Sequence, residues 1–283
     1  TAASPLQVEG PVLDIHVALA GLGIPIEVYS MSIAGATSPV TLAGTVVQGL
    51  AEFLGVATAL QVATPGAKLV FCFGSGVLDM LRTTFSLGCV ESAIMGVMAT
   101  EVGHYLGVPT LNPGLSTDSK HPGLQTGYEK ALKVASVCGA NPDIVTGWGL
   151  IDSHNTMYLP QSVVDNEIAA MVRRLQGEVE ISAATMAGDS IAKVGPGGGY
   201  LAEKDTARRI RAGEHLHPFV SNRLSYDKWV EDGQTENDVA NQEVERILAA
   251  RATREPYLND GQIDELAAIC EMDAESVRRA RRA

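Results

Sequence analysis

The residues of this sequence best suited to chemistry gather in three polar stretches: Asp79 with Arg82, Asp118 with Lys120, and the run Asp152, Ser153, His154 and Asn155. The first 200 residues carry more acidic than basic side chains, so a cation would be drawn to them. Lys68 or Lys120, near strand ends, could instead form a Schiff base, the chemistry of a lyase-type barrel enzyme. Against each single residue stands the plainer reading that loops between strands and helices are polar because they are solvated. Hydrolase templates find no purchase: neither Gly-x-Ser-x-Gly nor His-Glu-x-x-His occurs, and Ser116, Ser119 and Ser153 read as loop and cap residues.

These residues need a frame, and the first 160 residues supply one by alternating short β-branched runs with long amphipathic ones, the pattern of a parallel sheet with helices packed outside it. The spacing predicts strands near 24–31, 68–73, 108–112 and 143–148, and helices near 10–22, 39–61, 90–106, 123–138 and 160–176. In the second helix, Val47, Leu50, Ala51, Leu54 and Ala57 form the apolar stripe, with Gln48 and Glu52 off it and Ser38-Pro39 as cap and first turn. Helix-to-strand links are short, whereas strand-to-helix links are long and polar. Active sites of such folds are built from the loops after strand C-termini, so the polar candidates fall where a site belongs. Strands near 26, 70, 110 and 145 should therefore be adjacent and parallel, joined by right-handed crossovers. Only four strand–helix units are visible and a closed barrel needs eight, so either half a barrel lies outside this sequence, which opens on Thr1 rather than Met, or the sheet is open.

Composition bounds the partners. With 46% hydrophobic residues, 19% charged and a net charge of −12, the chain can bury a core but lacks the clustered Lys and Arg that nucleic acid or anionic membranes require. Before Lys120 only Lys68 and Arg82 are basic, so a phosphate would find little to hold it. Residues 39–63 are apolar but carry Gln48 and Glu52, which makes them a poor membrane span. Cys72, Cys89, Cys138 and Cys270 are too scattered for a disulfide framework or a zinc site and read as reduced, mostly core thiols; with no signal peptide visible, the expected location is cytoplasmic. No metal is expected. Gly195-Pro196-Gly197-Gly198-Gly199 reads as a turn rather than a phosphate loop, and His215 and His217 as surface. Residues 1–200 form the β/α portion; residues 201–283, much richer in charge, form a mainly helical C-terminal segment.

Read together, the loops and their flanks carry a resemblance. The series runs from Ala34-Gly35-Ala36-Thr37-Ser38-Pro39-Val40-Thr41-Leu42-Ala43-Gly44 through Gln61, Pro65-Gly66, Asp79-Met80-Leu81-Arg82, Glu91 and Tyr105-Leu106-Gly107-Val108-Pro109. It continues with Thr117-Asp118-Ser119-Lys120, Gln125-Thr126-Gly127-Tyr128-Glu129-Lys130, Gly197-Gly198-Gly199-Tyr200-Leu201, Asn222-Arg223 and Trp229 with Gly233. In this order it resembles the C-terminal part of the trimethylamine methyltransferase family, in particular members without pyrrolysine that act on glycine betaine and related quaternary amines. Gly123 and Gly199 depart from the pattern, standing where an acidic residue and a histidine are expected. The resemblance implies a TIM (β/α)8-type barrel, present here as its C-terminal half, that binds a methylated amine at its mouth. It implies no cofactor on this chain: cobalamin is carried by a partner corrinoid protein that accepts the methyl group. Asp118, Lys120 and Gln125 become the catalytic candidates, with Asp79, Arg82, Glu91, Tyr105, Ser153 and His154 around the substrate, and Glu101 and Glu129 are left as helix-face residues. In trimethylamine enzymes of the family a pyrrolysine is thought to hold the amine, in or near the loop 113–124; here that loop has standard residues only. A homo-oligomer is expected, and a non-catalytic amine-binding subunit is the third reading.

Overall fold

The computed structural model describes residues 2–252, 257–270, 273 and 275. Four strands rich in β-branched and aromatic residues, β1 (Ile26–Ser30), β2 (Leu69–Phe73), β3 (Thr110–Asn112) and β4 (Ile144–Val145), lie side by side in that order, and every pairing is parallel. Helix α1 (Gly10–Gly21) precedes β1; α2 (Leu42–Ala63), α3 (Val90–Leu106) and α4 (Leu124–Gly139) make the three crossovers; α5 (Leu159–Gln176) follows β4. Each helix packs on the next, α1 on α2 through to α4 on α5, so they form one continuous layer. Parallel strands in sequential order with crossovers of one hand put all helices on one face, whereas a doubly wound sheet reverses its order to cover both. The expected parallel α/β arrangement is therefore present. Among the described residues β1 and β4 each pair in this sheet on one side only.

The two faces differ as that layering requires. Ile26, Val28, Phe71 and Phe73 point into the helix layer and meet Val46, Phe53, Val56 and Leu60 of α2 and Met95 and Ala99 of α3; each such side chain contributes about 1.5–3 kcal/mol of burial. On the opposite face Val70, Cys72 and Leu111 form a small cluster with Tyr29, and no helical residue belongs to it. Ile144, in register with Leu111, continues that face and is exposed, as is Glu27 beside Val70.

Four expectations need correcting. The buried stripe of α2 is Thr45, Val46, Gly49, Glu52, Phe53, Val56 and Leu60, while Val47 and Leu54 are exposed. The helix is apolar almost all round, so periodicity could not choose its face; close approach at Gly49 did, where an added Cβ would lie 2.6 Å from the Phe73 ring. Helix α2 begins at Leu42 with Thr41 as N-cap, and Ser38 bonds Thr45 Oγ1 (2.9 Å) instead of capping. Strand β4 stops at Val145 rather than 148, because Gly147 turns the chain at φ 104°. Of the four cysteines, all free, only Cys72 is fully buried. Among the described residues α2 is also the one helix long and apolar enough to cross a membrane, and its inward face is the sheet's core.

Beyond α5 come short helices, α6 (Ala183–Met186), α7 (Gly188–Val194), α8 (Lys204–Arg211) and α9 (Tyr226–Asp232), then α10 (Glu236–Ala252) and α11 (Asp260–Ile269). Helix α10 packs on α5, and Tyr158 Oη donates to Asn237 (3.2 Å). The Glu167 carboxylate of α5 accepts the backbone N–H groups of Phe219 (2.6 Å), Val220 and Ser221 (2.9 Å) and the Ser221 hydroxyl, which ties residues 219–221 to the helix layer. The 195–199 glycines follow α7 as a turn, and Lys193 pairs with Glu203 (2.8 Å). The last of the expected C-terminal segment, apart from residues 273 and 275, lies outside the described residues.

Candidate active site

Long loops leave the C-terminal ends of the strands, and three of them meet at Asp118. From the loop after β2, Leu87 N–H (2.7 Å), Gly88 N–H (2.9 Å) and the Ser86 hydroxyl donate to its carboxylate; from the loop after β4, Ser153 Oγ does so at 2.7 Å. Burial alone would raise the pKa, but the hydrogen bonds from Ser86, Gly88, Ser153 and Leu87 outweigh it, and Asp118 is held below the usual carboxylate value. Four donors use its oxygens, so Asp118 supplies a fixed negative charge and a clamp.

The loop after β4 is bent to reach it. Asp152, Ser153 and His154 all adopt the left-handed conformation (φ 53°, 50° and 74°), at roughly 1–2 kcal/mol per residue for L-amino acids. Two backbone bonds hold the bend: Ser153 N–H donates to the Thr117 carbonyl and Asp152 N–H to that of Ser119, both at 2.8 Å. Runs of strained backbone persist where the surroundings over-determine them, and such places concentrate at functional sites. His154 Nε2 lies 3.0 Å from Ser116 Oγ, which itself donates to the Pro113 carbonyl (2.6 Å). The Ser116 proton is thus spent, so Nε2 carries the imidazole hydrogen and Nδ1 is the acceptor. Burial, with the Lys133 and Lys130 charges, pulls His154 down to about 4 and keeps it neutral.

Helix α4 supports this floor. Glu129 Oε2 accepts Thr117 Oγ1 (2.6 Å) and Asp118 N–H (2.8 Å), and its other oxygen accepts Gln125 Nε2 (2.8 Å). Gly88 passes so close that a Cβ there would lie 2.5 Å from Glu129 Oε2. Lys133, fully buried, donates to the Leu87 carbonyl and Ser92 Oγ, both at 2.8 Å; burial takes its pKa down to about 7. One turn earlier Lys130 forms a fully buried ion pair with Asp165 of α5 (2.7 Å), whose carboxylate also accepts Gly149 N–H (2.7 Å) and Gln161 Nε2 (2.9 Å). Burial pushes both partners toward neutrality, Lys130 down and Asp165 up.

The structure therefore brings Asp118, Ser153 and His154 together, with Lys120 and Gln125 at their edge. Lys120 is exposed, paired with Asp152 (2.9 Å) and bonded to the Asp118 carbonyl (2.7 Å). Asp79 and Arg82 pair with each other at 3.1 Å, on the turn between strands Gly76–Asp79 and Thr84–Ser86. Glu91 sits half-buried in the first turn of α3, on the site side, whereas Tyr105, 89% exposed, is in the last turn of α3 at the other end of the helix layer. Lys68 also lies at that far end, just before β2. Sequence reasoning missed Ser86, Lys130, Lys133 and Asp165, and left Glu129 as a surface residue. The available signal was two lysines at i, i+3 on the same face as Thr126, Val134 and Val137. Among the described residues no group of three or more His, Cys, Asp or Glu is placed to hold a metal ion.

Residues 1–276 match the family described as trimethylamine methyltransferase (MTTB). The chain belongs to this family. It is 30% identical over 246 residues to trimethylamine methyltransferase MttB2 of Methanosarcina mazei, covering 87% of this chain and 49% of that protein. Likeness to the glycine betaine methyltransferase of Desulfitobacterium hafniense is 31% over 248 residues, 87% of this chain and 51% of the relative. A trimethylamine methyltransferase MttB of the same species is 30% identical over 232 residues, 81% and 46% of the two chains. The chain thus spans about half the length of the curated relatives it matches.

Proposed function

We propose that this chain is half of a (β/α)8 barrel enzyme that transfers a methyl group from a quaternary amine, betaine-like in structure, to a corrinoid carried by a separate protein. What carries the reading is the clamp at Asp118, which gathers three strand-to-helix loops at one end of a parallel sheet in a member of this family. Sequential strand order, helices on one face and an opposite face with no helical residue in its cluster suit a barrel whose remaining strands complete the ring.

The reduced corrinoid is the methyl acceptor and supplies the nucleophile. The nitrogen keeps the electron pair of the broken C–N bond, so a quaternary donor leaves as a neutral tertiary amine with no proton required. The enzyme's work is then positioning and electrostatics. Asp118, ionised and immobilised, biases the loop end toward cations, and Glu129 and Asp152 stand beside it. Lys120, exposed on the same loop, can meet a substrate carboxylate, as a betaine has. His154, neutral with Nδ1 as acceptor, adds no positive charge to repel the ammonium. An amine held by an electrophilic imine is not available to this loop of standard side chains, which favours quaternary donors over trimethylamine.

The test uses the full-length protein and a reduced corrinoid protein, followed by its visible spectrum. Turnover is expected with a quaternary amine and none with mono-, di- or trimethylamine. Robust turnover of trimethylamine with none on any quaternary amine overturns the reading.

A further inference from the structure

Helix α4 is built inside out. Its three charged side chains all have inward partners: Glu129 bonds Thr117 and Asp118, Lys130 pairs with Asp165, and Lys133 bonds Leu87 and Ser92. Its outward face is Leu124, Tyr128 and Leu132, 91%, 62% and 56% exposed. Spaced at i, i+4 and i+8, they stand one above another on the surface. On the adjoining α3, Val90 and Ile94 are exposed as well. Together these five leave an apolar patch on the order of 500 Å² uncovered. That approaches the roughly 800 Å² per partner of a standard interface and exceeds what singly scattered apolar residues amount to. The five side chains carry no charge, so in a chain of net charge −12 they are where two copies approach with least repulsion, with Glu236 at the adjoining groove.

We propose that this face is a two-fold interface, and that its occupant is a second copy of the chain. The stripe reads the same in both directions about Tyr128. A two-fold axis there lays one α4 antiparallel to the other, Tyr128 on Tyr128 and Leu124 on Leu132, the self-complementarity that an isologous dimer requires. Next to the stripe is a groove of about 620 Å³, lined by Leu124, Tyr128, Gln161 and Val164 among others. The two-fold delivers Leu132 of the second copy to the Leu124, Tyr128 and Val164 side of that groove, away from Glu236 and Asn237.

Sedimentation of the chain at tens of micromolar tests this, with a dimer expected. Leu124→Glu and Tyr128→Glu should convert it to monomer while leaving the circular dichroism and the cooperative melt in place. In a Cys270→Ser background, Tyr128→Cys should cross-link to itself under mild oxidation. Leu124→Cys should cross-link when mixed with Leu132→Cys, and neither should do so alone. A monomeric chain overturns the proposal, and so does a dimer that survives Leu124→Glu or fails to cross-link through Tyr128→Cys. If another protein or a further part of a longer chain covers this face instead, the chain by itself stays monomeric and the substitutions leave its sedimentation unchanged.

Discussion

Helices α2 and α4 solve opposite problems. Helix α2 has apolar residues on every side and buries a glutamate among them; α4 buries two lysines and leaves leucines outside. In α2, Glu52 accepts hydrogen bonds from Ser30 Oγ (2.6 Å), Ser4 Oγ (2.9 Å), Ser32 Oγ (3.1 Å), Leu6 N–H (3.1 Å) and Gln48 Nε2 (3.0 Å). Its pKa is raised by burial but lowered more by those donors, and the net is a depressed value. In α4, Lys130 has a carboxylate partner and Lys133 has only neutral acceptors. The comparison teaches that an inward face is chosen by the partners waiting there, and that apolar content alone does not choose it.

The largest expected effect breaks the α4 side. Asp165→Ala strands the Lys130 ammonium in the interior and should cost about 3–5 kcal/mol in urea unfolding, far more than a surface ion pair would. Lys133 gives a sharper reading through pH. Its folded value of about 7 lies below the ordinary 10.5, so between those values the unfolded chain binds more protons and stability rises with pH, by up to about 1.4 kcal/mol per unit. A neutral amine has two N–H donors, matching the Leu87 and Ser92 acceptors. Lys133→Met should lose stability near pH 9 yet remove that slope; equal slopes in the two proteins would show that Lys133 stays charged.

On the α2 side the expected losses are smaller. Glu52→Gln should cost about 1.5–3 kcal/mol at neutral pH, the range for hydrogen bonds to a charged group. Because the folded pKa is depressed, this contribution is present above the unfolded value near 4.3 and is lost as pH falls through the folded one, so the variant's acid denaturation curve should be shallower. The smallest effect checks the corrected face: Val47→Lys and Leu54→Lys should each stay within about 0.5 kcal/mol of the parent. Phe53→Ala, on the buried face, should lose about 3–5 kcal/mol. Large losses at Val47 and Leu54 would restore the stripe that periodicity alone suggests.

How much was legible follows the same division. The strands near 26, 70 and 110 and all five helices of the layer were readable because local spacing and the Gly and Pro links sufficed. Asp118 and Ser153 were readable as loop residues after strand ends, yet their mutual bond was not, since residues 35 positions apart meet only when β3 and β4 are paired. Ser86 gave no signal, because a serine on a loop has many ordinary roles. Glu129, Lys130 and Lys133 misled, because a charged residue on a helix is usually solvated, and only the carbonyls, hydroxyls and Asp165 brought in by other elements make their burial tolerable.

By itself, then, the sequence determined the alternation of strands and helices, the end of the sheet where polar loops gather and the acidic character of the chain. These follow from local periodicity, turn chemistry and composition, which need no distant partner. Tertiary structure alone decided which face of α2 and α4 turns inward, that Asp118 is a clamp rather than a free anion, and that one face of the sheet carries no helix. Each of those is settled by hydrogen-bond partners and packing surfaces supplied from far along the chain, and the cost of burying a charge or a polar group exists only once those partners are either in place or missing.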